Sequence, residues 1–500
     1  MVSTSNSSIS RNDLLLFWGC FIALIATAFG FVIRTQIIGD WGLQFALTET
    51  QKGELLGVGL WPFAISIVLG SLIIDKVGYG RCMIFAFICH VASVLITINA
   101  HSYWGLYIGT FIVALGNGTV EAVINPVVAT MFPKDKTKWL IILHAGWPGG
   151  LILGGLLAIG MGGAAWSLKV ALIMIPTLIY AFLLWGRQFP VHERVVAKIP
   201  YKAMLQEVGI LGALIIVALM VRELGRVFEW SSLMQVIVGG GLVIGYGLYV
   251  RTWGRPMFIF LLLVMILSAI TELGTDSWIT PLMQNQMQVL GLHPGLVLVF
   301  TALIMAVLRI WGGRIVHVLQ PLGLLFVSAF LAAVGLFALS KTTGMGIIMA
   351  TTTYAVGTTF LWPTTLGLVS ERFPKGGALT MNSIAGVGML SVGIVGTAFL
   401  GNVQDKTMDT KLYQHHQALY AQVIGPERTS IFGPYRALDL KKISLMSPKD
   451  KQEIEKLTEQ VKKEALAKVA LLPLLMMVCY GGLWIYFRSK GGYRSVELTE

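Results

Sequence analysis

Apolar segments of roughly 18 to 28 residues recur along the whole chain, from Leu14 to Tyr486. Each segment is long enough to cross a hydrocarbon core of about 30 Å as a helix. That core offers no water to the backbone, so each segment must satisfy its own hydrogen bonds, which favours helices. Hydrophobic residues make up 55% of the chain and charged residues only 12%, about half the charged fraction usual in soluble domains. The sequence therefore predicts an all-α membrane protein.

The apolar segments form two groups of six with a shorter pair between them. They cover roughly 13–34, 53–74, 82–99, 103–131, 139–161 and 166–186, then roughly 256–283, 294–316, 321–340, 345–370, 377–400 and 469–487. The pair between them covers about 208–222 and 233–250. With both members counted, the chain has about 14 spans and keeps its alternation of basic loops. We therefore expect an N-terminal six-helix bundle (1–187), an inserted helix pair with linker (188–255) and a C-terminal bundle (256–500).

Short motifs occur twice at an almost constant distance. The sequence Phe-Pro-Lys begins at Phe132 and again at Phe373, which is an offset of 241 residues. Asp75 and His317 occupy related positions at an offset of 242 residues. Each Phe-Pro-Lys motif follows an apolar stretch and precedes a Gly-rich one. This repetition indicates a duplicated bundle of membrane helices, which is the architecture of a transporter.

The formal net charge of +12 follows membrane topology and does not indicate nucleic-acid binding. Lys and Arg gather in alternate short loops and near the C-terminus, and short basic loops stay on the cytoplasmic side of a membrane. We therefore expect a multi-pass protein of the cell (inner) membrane with both termini cytoplasmic and no nucleic-acid partner. This assignment places Arg309 and Arg314 together at one cytoplasmic loop.

The same topology makes residues 401–468 extracytoplasmic. The last part of this polar segment opens with Ser447-Pro448, which is typical of a helix N-cap followed by proline in the first turn. We expect a charged helix that projects from the membrane and runs into the last span. A solvated cap, a gate and a partner surface are alternative roles for the segment.

The loop between the second and third spans carries a recognisable motif, Ser71-Leu-Ile-Ile-Asp75-Lys76-Val-Gly78-Tyr-Gly80-Arg81. It resembles the Gly-x-x-x-Asp-Arg-x-Gly signature of the major facilitator superfamily, with serine and lysine replacing the first glycine and the arginine. A second motif, Glu121-Ala-Val-Ile-Asn125-Pro126, resembles the Glu-x-x-x-Asn-Pro of the fucose–proton symporter group. The resemblance implies alternating access around a central cavity, and it gives gating roles to Asp75, Lys76 and Arg81.

Two polar stripes interrupt the predicted spans. Asn117, Glu121 and Asn125 lie at i, i+4 and i+8 in span four, and Glu272 and Asp276 lie one turn apart in span seven. An ionisable residue at membrane depth is costly and normally faces a cavity or a partner. Burial disfavours the charged form of a carboxylate, so such a group can exchange a proton near neutral pH, as proton coupling requires. Substrate binding or proton coupling is the functional hypothesis; hydrogen-bonded structural acids are the alternative.

Other side chains in the spans are candidates for the same site, with helix packing as the alternative for each. They are His144, Trp147, Trp278, Tyr354, Trp362 and Asn382. The repeat offset also places Asp276 opposite the end of span one. Arg34 and Asp276 are therefore predicted to pair at an outer gate.

These observations predict a secondary active transporter of a small polar solute, of sugar or nucleoside type, cotransported with protons through the lipid bilayer. One alternative is an organic-anion carrier or exporter with Arg34 as its anion contact. Another is a membrane sensor or scaffold that transports nothing. The sequence has no phosphate-binding loop, metal cluster or nucleophile–base pair. We therefore expect no enzymatic activity, no cofactor and no metal.

Overall fold

The computed structural model describes residues 10–47, 49–275, 291, 296–342, 346–430, 433–439, 442–443 and 445–498. Within these ranges, twelve helices are long and apolar enough to cross a membrane. One of them has 46 residues and contains a break, and it therefore comprises two spans. A helix interrupted by a turn, Gly346–Thr358 and Leu361–Arg372, supplies one more apolar crossing in the described chain. The all-α class and about fourteen crossings agree with the sequence prediction.

The first half contains nine helices in the described residues. They are α1 (Arg11–Gln44), α2 (Glu49–Gly57), α3 (Trp61–Val77), α4 (Tyr79–Ile98), α5 (Tyr103–Met131), α6 (Lys136–Leu143), α7 (Gly146–Gly160), α8 (Trp166–Ala171) and α9 (Met174–Leu184). The hydroxyls of Ser10 and Ser102 accept backbone N–H bonds at the starts of α1 and α5, as helix N-caps do. Gly78 has a φ of 88° and permits the sharp turn between α3 and α4.

An inserted segment follows, with α10 (Glu193–Val196), α11 (Tyr201–Val227) and α12 (Ser232–Val250). α11 is broken at Gly209, where φ is 63°. A Cβ at this position would lie 2.0 Å from the backbone nitrogen of Gly254, so only glycine fits. Most of the large apolar side chains of α12 are exposed, as expected for a peripheral helix that faces lipid.

The second half begins with α13 (Pro256–Ala269), which continues as a π-helix over Ile270–Gly274. The next helices are α14 (Leu296–Lys341), α15 (Gly346–Thr358), α16 (Leu361–Arg372) and α17 (Gly377–Ser391), and a second π-helix covers Val392–Gly396. α14 is the 46-residue helix. Its break is at Gln320, where φ is 56° and ψ is 163°, and Pro321 follows it.

Residues 397–469 form a module between the eleventh and twelfth spans of the repeat plan. It contains α18 (Thr397–His415), α19 (Gln417–Val423), the antiparallel strands β1 (Ile424–Ser430) and β2 (Gly433–Leu438), and α20 (Pro448–Val469). A small core from Met408, Leu412, Ile454 and Val461 joins α18 to α20. The hydroxyl of Ser447 accepts the Asp450 N–H. The predicted capped helix is therefore confirmed, and it leads into the final helix α21 (Leu471–Ser489).

The two halves pack together through a shared core that includes apolar residues of both. Asn382 of α17 donates from Nδ2 to the backbone oxygen of Ala122 in α5, at 3.0 Å. Gly386 approaches α3 closely, since a Cβ there would lie 2.5 Å from Val68. Because α3 and α5 belong to the first half and α17 to the second, these contacts join the two halves.

We call the end of the bundle that carries Lys76, Lys134, Arg194, Arg372 and Lys490 the basic face. The N-terminal end of α1 is held there, because Nδ2 of Asn12 donates to the backbone oxygen of Gln188 at 3.1 Å. The C-terminal tail lies at the same face, because Arg372 donates to the backbone oxygen of Arg494 at 2.6 Å. The 397–469 module is at the opposite end.

Candidate functional site

Three polar side chains of the first half form a hydrogen-bonded chain in the middle of the bundle. Asn125 donates from Nδ2 to Oε2 of Glu121, one turn earlier in α5, at 2.7 Å. The Oδ1 atom of Asn125 lies 2.9 Å from Nε2 of His144, at the end of α6. An amide oxygen only accepts, so Nε2 of His144 is the donor. All three side chains are buried. The predicted stripe is thus joined to His144 in a single network.

Arg309 extends this network into the second half. Its guanidinium donates from Nη1 to the backbone oxygen of His144 at 3.0 Å and from Nε to the backbone oxygen of Thr359 at 2.7 Å. It also forms an ion pair from Nη2 to Oε1 of Glu272 at 3.1 Å. The side chains of both ion-pair partners are less than a tenth exposed. One guanidinium thus links the C-terminal end of α6, the π-helix that follows α13 and the turn between α15 and α16.

The assignment of Arg309 to a cytoplasmic loop was wrong. The side chain lies inside α14 and is 2% exposed, whereas Arg314, five residues later, is exposed. An arginine surrounded by apolar residues can be stable inside a membrane protein only with partners, and here it has a carboxylate and two carbonyl groups. The position of Arg309 inside the apolar stretch 294–316 was the sequence feature that could have indicated its burial.

The π-helix Ile270–Gly274 positions Glu272. A π-helical turn shifts the hydrogen-bonding pattern and exposes backbone carbonyls to other donors. The Tyr354 hydroxyl donates to the backbone oxygens of Thr271 and Glu272, at 2.9 and 3.0 Å. Tyr354 therefore supports the acid from α15, and the predicted residues of spans seven and ten do come together. Asp276 and Trp278 lie outside the described residues, so their parts of the prediction stay untested.

A second buried histidine holds Asn117. Nε2 of His90 in α4 lies 2.9 Å from Oδ1 of Asn117, and the Tyr180 hydroxyl lies 3.1 Å from Nδ1 of the same ring. Because the amide oxygen must accept, Nε2 carries the proton and Nδ1 accepts from Tyr180. The sequence analysis missed His90 and Tyr180, since an isolated polar residue in an apolar span gives no signal of its partner.

The remaining candidates lie in helix packing. Trp147 is half-buried, with its ring 5.8 Å from that of Phe31. Trp362 is buried near Gly388, where a Cβ would lie 2.8 Å from the indole ring. Asn382 makes the inter-half bond to Ala122 already described. Among the described residues, none of these three side chains forms a hydrogen bond with Glu121 or Glu272.

The gating motif meets the inserted segment at the basic face. Asp75 forms an ion pair with Arg194 of α10, whose Nη1 also donates to the backbone oxygen of Ile199 at 2.7 Å. Lys76 is exposed and lies over the ring of Tyr201, with Nζ 5.7 Å from its centroid. Arg81 is exposed and forms no ion pair with any described residue. In this structure the partner of Asp75 therefore comes from α10.

A second set of contacts at the basic face links α6 to α16 across the two halves. The backbone N–H and the hydroxyl of Thr137 both donate to Oε1 of Glu371, at 3.2 and 2.5 Å. Gly367 makes this approach possible, because a Cβ there would lie 2.3 Å from the Thr137 hydroxyl. The C-terminal tail adds a bond from the Tyr493 hydroxyl to Oε2 of Glu371 at 2.6 Å. Glu371 is therefore held from both halves.

The segment before α10 adds a buried, uncharged histidine. His192 accepts the backbone N–H of Arg194 at Nδ1, at 3.1 Å. Burial, and then the positive charges of Lys136 and Arg194, lower the pKa of His192 to about 3. Lys136 itself is buried and pairs with Glu193 at 2.5 Å. These contacts attach the linker before the inserted helices to the first half of the bundle.

Two helical halves, a buried polar network between them and closed contacts at one face define a class of protein: a multi-pass membrane transporter. The chain belongs to the Major Facilitator Superfamily, whose model matches residues 15–397. It is therefore a transporter and not an enzyme. No group of His, Cys, Asp and Glu residues suited to a metal occurs in the described part of the chain.

Comparisons with individual proteins support the fold of this chain, but they do not identify one substrate for it. The riboflavin transporter MCH5 of Saccharomyces cerevisiae is 29% identical over 133 residues, which cover 26% of this chain and 25% of that protein. The chain thus matches about a quarter of that relative's length. The proton:xylose symporter XylE superposes with a TM-score of 0.59 at 15% identity, covering 83% of this chain and 93% of that one. FucP in the outward conformation superposes with a TM-score of 0.54 at 13% sequence identity, and the match covers 91% of this chain and 98% of FucP.

Proposed function

We propose that this chain moves a small polar solute, of sugar or nucleoside type, across the cell membrane together with protons. The observation that carries the proposal is the continuous buried network from Glu121 through Asn125 and His144 to Arg309 and Glu272. It contains two carboxylates at membrane depth, one in each half. The names of similar structures, a proton:xylose symporter and FucP, are consistent with it.

Glu121 is the proposed proton-binding group. Its ionised form accepts the Asn125 amide, and Asn125 in turn accepts from His144, whose backbone oxygen is bonded by Arg309. When Glu121 binds a proton, its bond to Asn125 weakens, because bonds to a charged acceptor are about twice as strong as neutral ones. That change is transmitted to the helix end at His144, where the two halves meet. Proton binding would thereby alter the contact between the halves.

The contacts at the basic face supply the proposed gate. Asp75 with Arg194, and Thr137 with Glu371, hold this face closed, so the solute enters from the opposite side in this state. We take the basic face to be cytoplasmic, because its loops are rich in Lys and Arg. Alternating access then requires both sets of contacts to separate when the opposite side closes.

Reconstitution tests this proposal directly. Purified protein in proteoliposomes is offered a radiolabelled panel of hexoses, pentoses, polyols, nucleosides and organic acids, with and without an imposed pH gradient. Accumulation of one class, faster with an inward proton gradient and abolished by a protonophore, is the expected result. Uptake that is indifferent to the gradient would reject the coupling, and uptake of no compound would reject transport of these classes.

A further inference from the structure

Arg34 is a buried cation without a counter-ion in the described structure. It lies in α1, is 7% exposed, and makes no ion pair or hydrogen bond with a described residue. Its guanidinium lies beside Gly59, just before the start of α3. A Cβ atom added to Gly59 would be 3.3 Å from Nη2 of Arg34. Leaving a charge unpaired at membrane depth is costly. A fixed cation in this position is therefore suited to a ligand that brings a negative charge.

A second donor packs against α1 one helical turn before Arg34. His90 and Tyr180 fix the carboxamide of Asn117 with its oxygen turned towards His90, so its nitrogen points the other way. That nitrogen faces Gly30 of α1. A Cβ atom added to Gly30 would be 3.9 Å from Nδ2 of Asn117. The described residues offer it no acceptor. Gly30 and Arg34 are four residues apart and share one face of α1, about 6 Å apart along the axis.

We propose that Arg34 and the carboxamide nitrogen of Asn117 form a binding subsite for a carboxylate of the transported solute. This inference rests on the proposed transport function and narrows its substrate class to small hydroxylated acids, such as sugar acids. A guanidinium with a neighbouring N–H donor matches the two oxygens of a carboxylate. Glu121, one turn from Asn117 on the same face of α5, then lies beside the hydroxyl groups of the solute.

The subsite also explains why the solute and a proton would travel together. A carboxylate held by Asn117 lies within about one helical turn of Glu121. Two negative charges at that separation repel each other strongly in a medium of low dielectric constant. The anion therefore binds best when Glu121 carries a proton, and acid and proton bind as a neutral pair.

The test measures binding, so it does not require transport. Purified protein in chloride buffer is titrated with glucuronate, gluconate and lactate and, in parallel, with the neutral compounds glucose and myo-inositol, and the shift in melting temperature gives the affinity. At least one acid should bind more tightly than the neutral compounds. Arg34→Gln should weaken that binding about 10- to 100-fold, the range expected for bonds to charged groups. Arg34→Lys keeps the positive charge but loses the paired N–H donors of the guanidinium. Its affinity for the acid should lie between those of the unchanged protein and Arg34→Gln.

Two further variants make the result specific. Arg314→Gln removes an exposed arginine of α14, a helix that does not contain Arg34, and should leave the affinity unchanged. His90→Phe frees the Asn117 carboxamide to rotate and should weaken acid binding several-fold without affecting the charge of Arg34. Binding of glucuronate should also take up a proton from a weakly buffered solution, and Glu121→Gln should abolish this uptake.

The outcomes separate this inference from the broader proposal. Neutral compounds that bind as well as the acids, acid binding that survives Arg34→Gln, or no binding by any acid would each overturn the subsite. Failure of the transport proposal would look different, because acids would bind and depend on Arg34 while no compound accumulates in proteoliposomes under a pH gradient.

Discussion

The ion pair between Arg309 and Glu272 gives the sharpest prediction for the stability of the bundle. Both side chains are less than a tenth exposed, and the guanidinium also donates to two backbone oxygens, at 2.7 and 3.0 Å. Arg309→Met leaves Glu272 buried without its cation, which costs about 3–5 kcal/mol. With an unfolding entropy of about 2.1 cal/mol/K per residue over 500 residues, the melting temperature should fall by roughly 3–5 °C.

A double-mutant cycle isolates the charge pair from the two carbonyl bonds. Arg309→Met, Glu272→Gln and the double variant are purified in the same detergent, and their melting temperatures are compared. Both Arg309 variants lose the bonds to the carbonyl groups, so these losses cancel in the cycle. The double variant should be more stable than Arg309→Met, with a coupling of about 2 kcal/mol. Additive effects of the two single changes would refute the reasoning.

The basic face gives three further predictions. Asp75→Asn should increase the labelling of a cysteine introduced at the basic-face end of the cavity, because Arg194 loses its counter-ion; equal labelling would reject the gate. Tyr493→Phe removes the tail's bond to Glu371 and should increase the same labelling roughly 5-fold, as expected for about 1 kcal/mol; an unchanged rate would show that the tail does not hold the gate. The pKa of His192, about 3 when folded, lies below its unfolded value near 6.5, so stability is lost as pH falls below about 6.5. That loss reaches about 2 kcal/mol at pH 5 and should be absent in His192→Asn when melting temperatures at pH 7 and 5 are compared.

The bundle could be predicted from the sequence because membrane helices are encoded locally. Each span must be apolar for about 20 residues, and helix ends carry signals such as Ser447-Pro448, which the structure confirms as an N-cap. The inserted pair was predicted for the same reason, although its kink at Gly209 follows from a close contact with Gly254 that is distant in sequence.

The site was predictable only in part. Glu121, Asn125 and Glu272 carry a signal in the sequence, because acids and amides are rare at membrane depth. The residues that link these three side chains carry no such signal in the sequence. The role of Arg309 depends on three helices that meet only in the fold, and His90 matters only because it fixes the orientation of Asn117.

The residues that pair with Asp75 and Glu371 at the basic face could not be predicted from the sequence either. The motif that contains Asp75 gave its place at a gate, but its cation comes from α10, more than 100 residues later. Likewise, the tail residue Tyr493 lies 122 residues from Glu371. Such pairs are set by tertiary packing and leave no periodic pattern along the chain.

The most direct test of the central claim compares two transport modes in Glu121→Gln proteoliposomes. The first is accumulation driven by a pH gradient, and the second is exchange of labelled for unlabelled solute without a gradient. The control is Glu455→Gln, which changes an exposed acid of α20. If Glu121 couples protons to transport, its variant should lose gradient-driven accumulation and keep exchange, whereas the control keeps both. Undiminished accumulation against the pH gradient in Glu121→Gln would contradict the account.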